Sequence, residues 1–233
     1  KDQDRVETVT YRKDAQKAVI RYVSTNGNRV LTTDEVTGKS GEAIAYSTTS
    51  QITEFKKQGY NLVSDEFTSG GAKVYDYDTA RDQVYTVTLS ERVEPVNPDN
   101  PTPQPNTPVN PGQPDSPRWP GTVENLDNKE SVSRTIHYVY EDGSKAKDDV
   151  VETLNFKRWS RINLVTGQIF FQDWTTNDDT FDKVVSPTIA GYTADKSEIP
   201  AVSGVQAKDQ DRVETVTYHK DAQKAVIRYV STN

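Results

Sequence analysis

KDQDRVETVTYRKDAQKAVIRYVSTN occupies Lys1–Asn26, and Lys208–Asn233 repeats it with one change, Arg12 becoming His219. Strand-forming sequence keeps its pattern through substitution at most positions. A segment that returns with 25 of 26 residues intact after 207 positions therefore marks duplication. The chain reads as one full period of a tandem array plus the opening of the next.

Inside the stretch, Val6, Thr8 and Thr10 alternate with Val9 and Tyr11 as in a strand, and Ala18–Val23 (AVIRYV) supplies a second strand. Arg12–Lys17 (RKDAQK) is a charged connector of about six residues. A fold boundary is expected near Asp14, so that residues 1–13 are the last strand of a preceding repeat and 221–233 the first strand of a following one. Two modules, 14–93 and 121–220, lie between these orphan strands, and at least one orphan should pair with a neighbouring molecule or pack as an irregular extension.

The chain is long enough for about two ordinary domains. Its 33% hydrophobic and 27% charged residues suit small solvated modules. Cysteine is absent, which removes disulfides, thiol catalysis and thiolate metal sites. A net charge of −7 argues against nucleic acid or an anionic membrane as partner, because both demand clustered Lys and Arg. No apolar run is long enough to insert in a membrane.

The first module opens with AVIRYV, turns at Asn26-Gly27, and returns through Arg29–Val36. Both central residues of such a type I′ turn take positive φ. Thr48–Gly59 (TTSQITEFKKQG) has a capping hydroxyl, an apolar face of Ile52 and Phe55, two lysines at its C-terminal end and Gly59 to stop it, which is a short helix. Tyr60–Val63 and Gln83–Glu91 are strands. Hairpin, helix and further strands in this order give a β-grasp, in which first and last strands lie parallel at the sheet centre. Residues 94–120 hold ten of the chain's twelve prolines and are expected to form an extended polyproline II linker. The second module echoes the first through Ser133–Tyr140, the Glu141-Asp142-Gly143 turn, Gly191-Tyr192 and Arg212–Tyr218. Its middle is longer, with Val150–Arg158, a Thr166-Gly167 turn and Gln168–Trp174 expected as strand-rich structure and at most a short helix over 179–184. The fold class is therefore α+β, mainly β: two β-grasp modules in tandem.

His137 and His219 are the only histidines, and the second is Arg in its other copy, so no imidazole-based catalytic set assembles. Nothing singles out a facing pair of carboxylates for glycoside hydrolysis. The reading is not an enzyme. Asp76, Asp78 and Asp82 in DYDTARD could gather oxygen ligands for Ca2+, as could Asp173, Asp178, Asp179 and Asp182, yet neither cluster has EF-hand spacing, and solvated turns are the plainer reading. Trp159 and Trp174 could stack on a sugar or simply be half-buried strand aromatics. Trp119 should dock the proline segment onto a module.

AVIRYVSTNGNRVL with Gly38–Glu42, Gln58-Gly59-Tyr60 and VYTVTL resembles the mucus-binding MucBP-type β-grasp module. SRTIHYVYEDGS, ETLNFKR, LVTGQ, Trp174, VVSPTIAGY and VETVTY resemble the second module of Mub-type repeats, found in tandem on wall-anchored adhesins of gut lactic-acid bacteria. The resemblance covers most of the chain outside the proline segment. It implies an extracellular, cell-wall-anchored adhesin that binds mucin glycoproteins or their glycans through many weak sites, whose residues no motif identifies. Alternatives are capture of immunoglobulin or another host protein at a sheet edge, or a structural stalk repeat whose partners are its neighbouring repeats.

Overall fold

The computed structural model describes residues 4–230. In chain order it contains β1 (Ala15–Ser24), β2 (Val30–Lys39), α1 (Thr49–Lys57), β3 (Tyr60–Asp65), β4 (Gln83–Glu91), β5 (Val93–Val96), a 3-10 turn (Gly121–Asn125), β6 (Lys129–Tyr140), β7 (Lys145–Lys157), β8 (Ser160–Asn163), β9 (Ile169–Phe171), β10 (Val184–Val185), β11 (Tyr192–Ala194), β12 (Glu198–Ile199) and β13 (Arg212–Lys220). The fold is mainly β with one α-helix among the described residues, in keeping with the α+β expectation. The chain forms two compact units. One runs to Leu126 and takes in Ser160–Phe170; the other holds Asp127–Trp159 and the chain from Phe171 onward.

In the first unit the sheet order is β2-β1-β4-β3, with β1 and β4 parallel from Ala18↔Gln83 to Ser24↔Leu89 and both outer pairings antiparallel. Alternation along β1 puts Ala18, Ile20 and Tyr22 on one face, where none is solvent-exposed. Helix α1 covers that face with Ile52 and Phe55, and the Phe55 ring lies 5.6 Å from those of Tyr22 and Tyr60. The helix begins at Thr48, whose hydroxyl donates to Asp65 Oδ2 at 2.6 Å instead of capping. Just past its C-cap, Gln58, Gly59 takes a φ of 96°. A Cβ there would sit 2.8 Å from that of Leu164, so both backbone and space require glycine. The β1–β2 turn differs from expectation by one residue: Gly27 and Asn28 take positive φ, not Asn26. Asn26 N–H donates to Ser24 Oγ and Thr25 N–H to Leu89 O, which holds both residues to the strand end and shifts the left-handed pair onward.

The second unit's sheet has order β11-β13-β6-β7, with β6 and β13 parallel from Arg134↔Arg212 to Tyr140↔Tyr218. β7 and β11 flank them antiparallel, which repeats the order and directions of the first sheet. The short helix expected over 179–184 is not formed. Phe181, fully buried, instead pairs in extended form with Val202. Beside it lies Arg134, 1% exposed. Its guanidinium donates to Glu152, to Pro200 O at 2.9 Å and to Asp182 O, and stands 5.2 Å above the Phe181 ring. A buried guanidinium is tolerated only when its donors are satisfied. Arg134 thereby ties two irregular segments to the sheet.

The proline-rich segment is a correction to the extended linker reading. Val93–Val96 pairs antiparallel with β8, Pro95 lying on an edge strand where its missing N–H is harmless. Farther on the chain doubles back, with Asn106 N–H bonded to Trp119 O, Trp119 N–H to Thr107 O, and Val109 N–H to Pro117 O. Val96, Val123 and Ile162 form a small core against which Trp119, Leu126 and Ile169 pack. Asn106, Val109 and Trp119 supply the donors and the Trp119 ring the apolar cover, as expected for a docking tryptophan. Segment 160–170, assigned by sequence to the module 121–220, and segment 94–120 both fold with the first unit.

The duplicated stretch adopts two states. Residues 15–24 and 212–220 are strands, whereas their copies at 222–230 and 5–13 form no strand. Ile20 is 0% exposed and its copy Ile227 is 74% exposed. Ile20→Ala should cost about 2–5 kcal/mol of unfolding free energy. Ile227→Ala should change it by less than about 0.5 kcal/mol, each measured by urea denaturation on the transition of the unit that holds the residue.

Candidate functional site

The carboxylates singled out as calcium candidates serve as turn builders. Asp76 Oδ1 accepts from Asp78 N–H at 3.1 Å, Asp78 Oδ1 accepts from Ala80 N–H at 2.9 Å, and Asp82 pairs with Lys17 at 2.9 Å. Asp178 Oδ1 likewise accepts from Thr180 N–H. Among the described residues no three His, Cys, Asp or Glu side chains gather as a metal group. His137 lies 2.9 Å from Asp149, and His219 bonds Glu141, both on exposed strand faces.

The second unit carries the more chemically equipped recess. It has a volume of about 280 Å3, lined by Lys129 and Glu130 from β6, by Asn155, Phe156 and Lys157 from β7, and by Thr175, Thr176 and Asn177. Strand pairing builds it from both sides, since Lys129 and Glu130 lie opposite Lys157 and Phe156 in the β6–β7 register. Thr175 closes it by exchanging backbone bonds with Lys157 at 2.8 and 2.9 Å, and Thr176 Oγ1 donates to Asn155 O at 2.8 Å. Phe156, 5% exposed, is the apolar base. Amides, hydroxyls, ammonium and carboxylate groups around an apolar floor are the groups that fix a polar ring in place.

Next to the recess stands a cationic stack. The Arg158 guanidinium lies 3.9 Å from the Phe171 ring centre and 4.2 Å from that of Trp174. It donates to Asp127 O at 2.7 Å and Asp127 Oδ2 at 2.9 Å. Lys208 sits 5.4 Å over Trp174 and pairs with Asp127 and Glu130, contacts that raise its pKa. Trp174 is thus a half-buried strut whose face is already occupied by cations, while Trp159 is 43% exposed. Neither Arg158 nor Arg134 carried a signal in sequence, because their partners lie tens of residues away.

In the first unit a broader recess of about 700 Å3 is lined by Lys57, Pro108, Gly112, Gln113, Pro114, Ser116 and Arg118. Lys57 pairs there with Asp115 at 3.4 Å. No helix among the described residues is long and apolar enough to cross a membrane.

Comparison with known proteins gives a consistent picture. Residues 16–91 match the mucin binding domain family, and residues 123–222 match the Muc B2-like domain family. The chain is similar to the crystal structure of Mub-RV, at 26% identity and TM-score 0.69, covering 89% of this chain and 100% of that one. It is also similar to the type 2 repeat of the mucus binding protein MUB from Lactobacillus reuteri, at 28% identity and TM-score 0.58, covering 88% and 100%. The MucBP domain of the adhesion protein from Pediococcus pentosaceus is 36% identical, with TM-score 0.35, over 40% of this chain and 99% of that one. No curated protein matches the chain.

With its aspartates spent on turns and an ion pair, the chain should melt at the same temperature in EDTA and at saturating Ca2+. A calcium-dependent rise would assign a cation site.

Proposed function

The chain belongs to the mucus-binding repeat family, with a mucin-binding domain ahead of a Muc B2-like domain, and from that premise we propose that it is a non-enzymatic repeat of an extracellular, wall-anchored adhesin that holds mucin glycans. The observation that carries this reading is the recess floored by Phe156 and rimmed by Asn155, Thr175, Thr176 and Asn177. Its size and polar rim suit one or two sugar residues held by hydrogen bonds, with Lys129 at hand for an acidic substituent. The net charge of −7 works against acidic glycans at long range, so such local contacts must outweigh it. A site this small binds weakly alone. Repeats in series raise the effective concentration of each site and make weak binding sufficient.

The order β2-β1-β4-β3 with a parallel central pair and a helix on one face supports the β-grasp description of the first module. The matching order β7-β6-β13-β11 supports two such modules in tandem. A second functional reading has its own support. Strand β2, ten residues long, is a sheet edge, and an immunoglobulin or other host protein could add a strand to it.

Enzymatic removal of mucin glycans separates the two. Binding to immobilised mucin should fall to background after deglycosylation, and Asn177→Ala should weaken binding to intact mucin about 3- to 10-fold, the worth of a polar contact. Undiminished binding to the stripped protein would favour the sheet edge.

A further inference from the structure

Asp14 and Asp221 are the same position of the duplicated stretch, seen in two settings. In the first copy, β1 starts at Ala15, immediately after Asp14. In the second, β13 ends at Lys220, immediately before Asp221. Lys220 is the copy of Lys13, so when both observations are placed on one stretch a single residue separates the last strand of one sheet from the first strand of the next. The connector of about six residues suggested by RKDAQK shrinks to one aspartate.

The polar atoms of that aspartate are divided between the two settings without overlap. Asp221 N–H donates to Gly191 O at 2.9 Å and its Oδ1 accepts from Thr193 Oγ1 at 2.6 Å, both in the β11 region beside β13. Asp14 O accepts from Ser40 N–H at 3.0 Å and Ser40 Oγ at 3.4 Å, beyond the end of β2. No atom is used in both settings, so one residue can make all four bonds. The flanking residues are compatible as well: the Lys220 backbone pairs with Tyr192, whereas its copy Lys13 uses its ammonium group on Glu42, 3.9 Å away.

The segment after Asp221 carries the matching apolar pattern. Val226, Ile227 and Tyr229 are 73%, 74% and 93% exposed, and their copies Val19, Ile20 and Tyr22 are 6%, 0% and 0% exposed. The first copy shows what covers them: strands equivalent to β2 and β4 on either side and a helix equivalent to α1 on one face.

We propose that residues 222–230 are the docking strand for a further copy of this first module, so that where the repeat continues, β13 of one repeat runs into β1 of the next through Asp221 alone. Such a joint is rigid, because the junction residue is bonded to both sheets and no free linker remains. The second unit of one repeat and the first unit of the next then keep a fixed spacing across that joint.

The test is a two-repeat chain made by continuing Asn233 with a second set of residues 27–233. Because the sequence has no cysteine, Asp148→Cys in the first repeat and Lys56→Cys in the second give unique spin-label positions. Pulsed electron resonance should give one narrow distance, and inserting a flexible Gly/Ser segment of about six residues after Asp221 should broaden it at least about twofold. An uninterrupted chain as broad as the insertion variant overturns the proposal. Amide exchange supplies an independent reading: protection of residues 225–230 in the two-repeat chain should rise to that of 18–23, and failure to rise likewise overturns it.

Discussion

Each four-stranded sheet depends on one parallel pairing, β1 with β4 and β6 with β13. Parallel neighbours cannot be joined by a tight turn, so the partner must come from far along the chain, from Ala18 to Gln83 in one case and from Arg134 to Arg212 in the other. Central strands of this kind have no independent existence. AVIRYV is a strand when GlnValTyrThrValThr at 83–88 lies alongside, and RVETVTY is a strand when Arg134–Tyr140 does. The copies at 225–230 and 5–11 have the same propensity and no strand beside them among the described residues, and they form none. Propensity is here a fit to neighbours and not a backbone preference.

This explains which parts of the fold were legible. Local signals read well: β4 falls on Gln83–Glu91, α1 buries Ile52 and Phe55 and stops at Gly59, and the second hairpin turns at Gly143, with φ of 80°. Features with distant partners did not. The proline segment looks like a spacer until Ser160–Asn163 arrives to pair with Val93–Val96, and Trp119 finds its small core. Arg134 reads as one more polar residue of an alternating strand, although its donors reach Glu152, Asp182 and Pro200. Phe181 lay in a plausible helical window, yet burial against extended neighbours took precedence over local pattern.

The candidate site follows the same division. Turn aspartates advertised themselves as metal ligands because clustered carboxylates are visible in sequence, and the structure uses them on backbone N–H groups and Lys17. The recess was hidden, since Lys129 and Glu130 meet Phe156 and Lys157 only through the β6–β7 register, and Thr175–Asn177 close it from a third segment. Aromatic residues also changed roles: Trp174 is covered by Arg158 and Lys208 and stiffens the wall near the recess, so it is not a bare stacking platform. A small polar recess on a stiff sheet suits weak, repeated contact better than tight capture.

The dependence of strand state on a distant partner is the central claim, and amide hydrogen exchange on the intact chain tests it directly because the sequence contains its own control. Residues 18–23 and 212–218 should exchange only on global unfolding of their units, while the identical residues 225–230 and 5–11 should exchange at nearly the rate of free peptide. Equal protection in both copies would contradict the account, for it would mean that the stretch forms a strand without the neighbours seen here.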